Sequence, residues 1–179
     1  MLNRDFIKFA YEQRKAELEA DDDELYGRGL ERPEGDFCPI CTLPIPLRMD
    51  EHSVIEICCM KSICKGCSLA SQKRGMVDCA FCRTPIAKND DEKLAFIRAR
   101  VEKKDPEAIH FLATKYNHGH LGLRKNLRKA VKLFTEAAEL GSVDALFSLG
   151  YAYKHGQGVE ADEEKSAEFY KKAAMQGHV

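Results

Sequence analysis

Cys38-Pro39-Ile40-Cys41 is the first of four cysteine pairs that decide how the middle of this chain folds. The other pairs contain the rest of the 8 cysteines: Cys58-Cys59, Cys64-Lys65-Gly66-Cys67 and Cys79-Ala80-Phe81-Cys82. Two residues between cysteines form a short loop that can place both sulfurs on one tetrahedral zinc ion. Eight thiols suit two structural zinc ions with four ligands each. Because the region holds little apolar material, we expect the metal to supply much of its folding energy.

The composition argues against several classes of protein. The 28 basic and 29 acidic side chains nearly balance, and the lysines near the cysteines are scattered, so we expect no nucleic-acid partner. No apolar run reaches the roughly 18 residues of a membrane span, and the N-terminus lacks the apolar core of a signal peptide. We therefore expect a soluble intracellular protein, cytoplasmic or nuclear, without membrane contact. In a reducing compartment, clustered C-x-x-C pairs bind metal more often than they form disulfides.

The residues before the first cysteine predict a helix followed by a linker. Phe6, Phe9 and Ala10 share one helical face, which favours a helix over residues 3–26. An acidic run closes that segment, and glycines and a proline interrupt the periodicity over residues 27–36. We therefore place an N-terminal helix and an acidic linker at residues 1–36.

The loops between the cysteine pairs carry short secondary structure. Val54, Ile55 and Ile57 predict a strand that leads into the second pair. Residues 68–73 predict a short helix after the third pair, because Arg74 and Gly75 follow as a stop signal.

Over residues 37–88, the order of pairs and loops resembles the RING finger. In that family the first and third pairs share one zinc ion and the second and fourth pairs share the other, an arrangement called cross-bracing. The resemblance, and not the spacing itself, implies the pairing. It implies one site with Cys38, Cys41, Cys64 and Cys67, and a second site with Cys58, Cys59, Cys79 and Cys82.

One position departs from the commonest RING pattern. Where that pattern has a histidine shortly before the fifth ligand, this chain has Lys61, whose protonated amine cannot bind a metal. The adjacent Cys58 and Cys59 can replace it, as in RING variants with eight cysteines. Adjacent ligands on one ion need a strained backbone, so His52 stays open as a substitute.

The resemblance also implies a function. A RING binds a ubiquitin-conjugating enzyme and holds its ubiquitin thioester in a reactive pose, without a catalytic residue of its own. The positions that make this contact in the family are occupied here by Ile40, Arg83 and Pro85. The large aromatic usual in the second loop is missing, and Leu69 or Met76 is the nearest apolar residue. Two hypotheses follow: an E3 ubiquitin ligase, or a non-enzymatic scaffold that only binds proteins.

Residues 89–105 predict a connecting helix. Asn89 or Asp90 is a suitable N-cap for a helix from about 91 to 103, and Leu94, Ile97 and Val101 follow at helical spacing. Asp105-Pro106 then ends this helix and starts the next.

The rest of the chain is an internal repeat. Ala108 and Leu112 match Ala145 and Leu149 at an offset of 37, and later positions match at an offset of 36. The slip predicts one extra residue in the loop between the helices of the first repeat. The stretches Tyr151-Ala152-Tyr153-Lys154-His155-Gly156-Gln157-Gly158-Val159 and Lys171-Lys172-Ala173-Ala174-Met175-Gln176-Gly177 resemble Sel1-like repeats, relatives of the tetratricopeptide repeat.

This resemblance implies two helix-turn-helix units over residues 106–179, forming a short α-solenoid that binds a protein partner on its concave face. Because the sequence stops where a further repeat would begin, we also expect self-association through the open end or a longer repeat protein. The fold class expected for the chain is mostly α, with a small zinc-stabilised module.

Overall fold

The computed structural model describes residues 37–45 and 49–176. The N-terminal helix and linker predicted over residues 1–36 lie outside the described residues. None of the described helices combines the length and the apolar character needed to cross a membrane.

The cysteine region contains a β-hairpin followed by a helix. The first elements are α1 (Met49–His52), β1 (Ser53–Glu56), β2 (Lys61–Cys64) and α2 (Lys65–Lys73). Strands β1 and β2 are antiparallel, with Ser53 opposite Cys64 and Glu56 opposite Lys61, so the predicted strand is confirmed over residues 53–56. Helix α2 begins three residues earlier than predicted, because the Cys64 thiol at its N-cap accepts a hydrogen bond from the Cys67 amide.

The predicted connecting helix is α3 (Asp90–Val101), with Asn89 as its N-cap. The Asn89 Oδ1 atom accepts a hydrogen bond from the Glu92 amide at 2.8 Å, and the Glu92 carboxylate accepts one from the Lys88 amide at 2.8 Å. Two amides at the start of the helix are thereby satisfied. The helix ends two residues before the predicted end at residue 103, and Lys104 turns the chain in a left-handed conformation.

Four helices of 13 residues each form the repeats. They are α4 (Pro106–His118), α5 (Leu127–Glu139), α6 (Val143–His155) and α7 (Glu163–Met175). Each helix packs against the next one along the chain. The loop over residues 119–126 is one residue longer than the loop over residues 156–162, which confirms the predicted insertion.

Small residues bring the repeat helices close together. Ala113, Ala130 and Ala152 are buried in one cluster with Phe134 and Leu149. A methyl side chain takes up little room between helix backbones, so the larger side chains can interlock around it. These buried alanines therefore allow the close spacing of the repeat helices.

Candidate metal centre

The first cysteine pair lies on a tight loop closed by backbone hydrogen bonds. The Cys38 amide donates to the Leu43 carbonyl at 2.9 Å, and the Thr42 amide donates to the Cys38 carbonyl at 2.8 Å. Thr42, directly after Cys41, has a φ of 59°. This left-handed residue turns the chain back, so that Pro44 pairs with Phe37 across the loop.

The fourth pair repeats this arrangement. The Cys79 amide donates to the Thr84 carbonyl at 2.8 Å, and the Arg83 amide donates to the Cys79 carbonyl at 3.0 Å. Arg83, directly after Cys82, has a φ of 63°. Two loops with the same hydrogen bonds thus present two cysteine pairs in the same way.

The second pair occupies the turn of the β-hairpin. The amides of Cys59 and Met60 both donate to the Glu56 carbonyl, at 3.1 and 2.7 Å. Neither Cys58 nor Cys59 has a positive φ, whereas Met60 has a φ of 53°. The backbone strain that we expected within the adjacent pair is therefore found one residue later.

The sulfurs gather in two groups of four, and within each group they lie within 4.8 Å of one another. These are the two sets of four cysteines that the RING resemblance implies. His52 is exposed and belongs to neither group. The first group consists of Cys38, Cys41, Cys64 and Cys67, and the second of Cys58, Cys59, Cys79 and Cys82.

Two sulfur–sulfur distances, one in each group, fit a tetrahedral ion. Zinc–sulfur bonds of about 2.3 Å at tetrahedral angles put sulfurs about 3.8 Å apart. The sulfurs of Cys41 and Cys64 are 3.8 Å apart, and those of Cys59 and Cys79 are 3.9 Å apart. Cys82 lies 3.3 Å from Cys58, which is shorter than that geometry requires. All eight cysteines are free thiols, so the donor set suits zinc.

Backbone amides point at the sulfurs. The Cys67 amide donates to Cys64 Sγ at 3.4 Å, and the amides of Phe81 and Cys82 donate to Cys79 Sγ at 3.4 and 3.5 Å. Hydrogen bonds from N–H groups stabilise a thiolate relative to a thiol. Amide donors therefore lie beside both of these sulfurs.

The thiols of the first group differ in pKa. Burial raises the pKa of Cys38, but amide hydrogen bonds from Cys41, Cys64 and Ile40 outweigh it and bring the pKa down to about 6. Burial and hydrogen bonds with neighbouring thiols raise the pKa of Cys67 to about 12.

The thiols of the second group also differ in pKa. Burial opposes ionisation of Cys82, yet hydrogen bonds from Thr84 lower the pKa to about 6. Burial and the charge of Cys79 raise the pKa of Cys59 to about 12. Four thiolates this close repel one another, and a divalent cation between them would remove that repulsion.

Ala80 ties the two groups together. It lies between Cys79 and Cys82 of the second group, and it packs against the buried cluster of Cys38, Ile45 and Ile63 beside the first group. The loop of the second group therefore contributes to the packing around the first group.

The hairpin turn also contacts the helical part of the chain. Ile57 and Met60, which flank the adjacent cysteines, pack against the buried cluster of Leu94, Ile97 and Leu112 from α3 and α4. We did not foresee this contact from the sequence. The sequence did contain a signal for it, because apolar residues on both sides of a candidate ligand pair indicate a packing surface there.

Ile57→Ala is expected to lower the free energy of unfolding of the repeats while leaving zinc binding unchanged. Because Ile57 is only half-buried, the expected loss is about 1–2 kcal/mol, below the usual cost at a fully buried isoleucine. Urea unfolding followed by circular dichroism measures it. Ile55→Ala, at an exposed position of β1, is the control. Equal losses in the two variants would contradict the contact.

The three residues that resemble the enzyme-binding positions of a RING are all exposed. Ile40 lies on the loop of the first pair, whereas Arg83 and Pro85 follow the fourth pair. The Arg83 guanidinium points toward Met76, with Nη1 3.7 Å from the sulfur. On α2, Leu69 is exposed and offers a further apolar side chain on the module surface.

Residues 106–142 and 143–178 each match the family model of the Sel1 repeat. This part of the chain consists of two Sel1 repeats. The repeat assignment made from the sequence is therefore confirmed. Arrays of stacked helical repeats present extended concave surfaces for binding.

Three known proteins are similar to the chain. Over 46 residues it is 46% identical to the "ERAD-associated E3 ubiquitin-protein ligase component HRD3" of Candida glabrata; this covers 26% of the chain and only 6% of that protein. It is 31% identical to a Sel1 repeat protein from Oxalobacter formigenes, with a TM-score of 0.48, covering 50% of the chain and 68% of that protein. It is 27% identical to cysteine rich protein B of Helicobacter pylori, with a TM-score of 0.47, covering 50% of the chain and 66% of that protein.

Proposed function

We propose that the protein is a RING-type E3 ubiquitin ligase, in which the cysteine region binds a ubiquitin-conjugating enzyme and the Sel1 repeats bind a protein substrate. The observation that carries this proposal is the arrangement of the eight thiols. Alternate pairs along the chain converge on common points, with Ala80 linking the two groups.

In this proposal each group holds one zinc ion through four thiolates. Such a site is closed, because no position is left for water or substrate, and the ion acts structurally. The ligase would accelerate ubiquitin transfer by holding the charged conjugating enzyme in a reactive geometry. No residue of the chain needs to take part in bond making.

The exposed Ile40, Arg83 and Pro85 would form the contact with the conjugating enzyme. Ile40 and Pro85 offer apolar surface on two loops of the same shape. The Arg83 guanidinium presents several donors in one plane, which suits simultaneous hydrogen bonds to carbonyl groups. Leu69 on α2 would replace the large aromatic side chain that is usual in the family.

The Sel1 repeats support the substrate-binding half of the proposal. The similar protein from Candida glabrata is named as a component of an E3 ubiquitin ligase, and this favours the same pathway here. That match covers only 6% of its length, so the argument rests mainly on the cysteine region of this chain.

A non-enzymatic scaffold is the second candidate. The chain contains 0 tryptophans, and the aliphatic Leu69 is a smaller contact than an aromatic ring. In this alternative the cysteine region and the repeats both bind proteins, and no ubiquitin is transferred.

Ile40→Ala and Arg83→Ala are each expected to slow ubiquitin discharge from a conjugating-enzyme thioester by about tenfold or more, because each removes a central contact. Both variants should keep two zinc ions per chain. Arg74→Ala, at an exposed basic position next to α2, is the control. Two zinc ions without discharge, across a panel of conjugating enzymes, would favour the scaffold. Fewer than two zinc ions in the unmodified protein would contradict the RING assignment.

A further inference from the structure

A cavity of about 460 Å³ lies between α4 and α6 on the repeats. Its volume is within the range of sites that bind small molecules or peptide side chains. Helix α5 and the two loops complete its wall. It is lined by Thr114, Asn117, His118, Lys125, Phe134, Phe147, Ser148, Tyr151, Ala152 and Gln157.

None of the lining residues is acidic, and several of the polar ones carry an N–H donor. Lys125 carries a positive charge, and Asn117, His118 and Gln157 can each present an N–H group. This part of the cavity, the basic end, is complementary to a carboxylate. Aromatic side chains form the neighbouring apolar wall.

The other end of the groove is acidic. Ligand atoms of Glu107, His110 and Asp144 lie within 4.8 Å of one another. Burial of the carboxyl group and the charge of Asp144 raise the pKa of Glu107, although part of its side chain is open to solvent. A cationic side chain bound there would relieve the repulsion between the two carboxylates. We call this the acidic end.

His110 connects the two ends. Its Nε2 atom is 3.1 Å from Ser148 Oγ, and its ring centroid is 5.5 Å from that of Phe134. Both contacts line the cavity. Glu107, His110 and Asp144 do not line the cavity itself, but they lie beside it on the same two helices, α4 and α6, so the acidic end extends the groove beyond the cavity.

The distance between the ends limits the length of a ligand. Glu107 and His118 are about three helical turns apart on α4, roughly 16 Å at 1.5 Å per residue. An extended peptide covers roughly 3.3 Å per residue, so roughly five residues span the groove.

We propose that this groove binds an extended peptide segment that carries one basic and one acidic residue about five positions apart. The basic side chain lies at the acidic end, the acidic side chain lies at the basic end, and apolar residues between them contact Phe147 and Tyr151. This inference rests on the substrate-binding half of the proposed function, and it gives the chemistry of the segment recognised.

The probe is a fluorescein-labelled nonapeptide, Ser-Gly-Arg-Ala-Leu-Leu-Ala-Glu-Gly, titrated with the zinc-loaded full chain and followed by anisotropy. Replacing its arginine or its glutamate with glutamine is expected to weaken binding by about twofold to fivefold. In a double-mutant cycle, the effect of the peptide arginine should vanish in Asp144→Asn and persist in Lys125→Gln. The effect of the peptide glutamate should show the reverse pattern.

Glu136→Gln and Lys132→Gln are the matched controls, because both residues are exposed on α5 and neither lines the cavity. The proposal would be overturned if either control substitution changed the effect of a peptide charge on binding. It would also be overturned if the peptide did not bind at about 1 mM. Binding of a third zinc ion that Asp144→Asn abolishes, without peptide binding, would also overturn it and assign the acidic end to a metal. Ubiquitin discharge tests residues 37–88 separately, so failure of the groove and failure of the ligase proposal are distinguishable.

Discussion

Cys79→Ser is expected to remove at least one of two zinc ions and to unfold the cysteine region. Cys79 is 1% exposed, and its sulfur accepts two amide hydrogen bonds. A serine hydroxyl does not ionise near neutral pH, so it cannot replace the thiolate. Structural zinc contributes about 10–16 kcal/mol in zinc-finger peptides, which matches or exceeds the net stability of about 5–15 kcal/mol of a whole domain.

Zinc content measured by atomic absorption and cleavage within residues 37–88 by a protease report the two effects. Lys73→Ser, at the exposed end of α2, is the control for the introduction of a serine. The repeats should remain helical in Cys79→Ser, because the buried residues of two of their clusters all come from the repeats themselves. A variant that keeps two zinc ions and resists the protease would show that Cys79 is not a ligand.

The same substitution should also weaken the first repeat. Cys79 shares its group with Cys58 and Cys59, and these hold the turn that carries Ile57 and Met60. Without metal the turn loses its anchor, so the contact with Leu112 is lost as well. The resulting loss of repeat stability should equal or exceed the loss caused by Ile57→Ala.

The repeat helices could be predicted because their signals are local and occur twice. The match of Ala108 with Ala145 gave the period, and the one-residue slip gave the longer loop over residues 119–126. The Asn89 cap was equally visible, since an N-cap depends only on neighbouring residues. Errors of a few residues at the ends of α2 and α3 arose where a thiol cap and a left-handed turn decided the boundary.

The contacts between distant elements could not be predicted in the same way. The two sets of four cysteines were predicted from a family resemblance. The spacing alone could not predict them, because many pairings fit it. The packing of Ile57 and Met60 on α3 depends on the three-dimensional path of the hairpin. The groove joins Glu107 to Asp144 across two repeats, and no sequence period reports which side chains face each other there.

Gly158→Ala is expected to destabilise the repeats far more than Gly122→Ala, although both glycines occupy the same place in the two repeats. Both have a positive φ, 80° at Gly158 and 72° at Gly122, so alanine is strained by about 1–2 kcal/mol at either position. Only at Gly158 does the added methyl group meet other atoms. It would lie 2.5 Å from the Leu127 carbonyl and 2.9 Å from the Arg128 amide.

The difference between the two variants therefore measures the contact between repeats. The obstacle at Gly158 is backbone at the start of α5 and cannot rotate away, so overpacking should cost a further 1–3 kcal/mol, approximately. Urea unfolding of both zinc-loaded variants gives the difference. At Gly122 no atom beyond its chain neighbours lies within 4 Å of the added methyl. Equal losses would mean that the start of α5 moves freely, and that side chains alone hold the two repeats together.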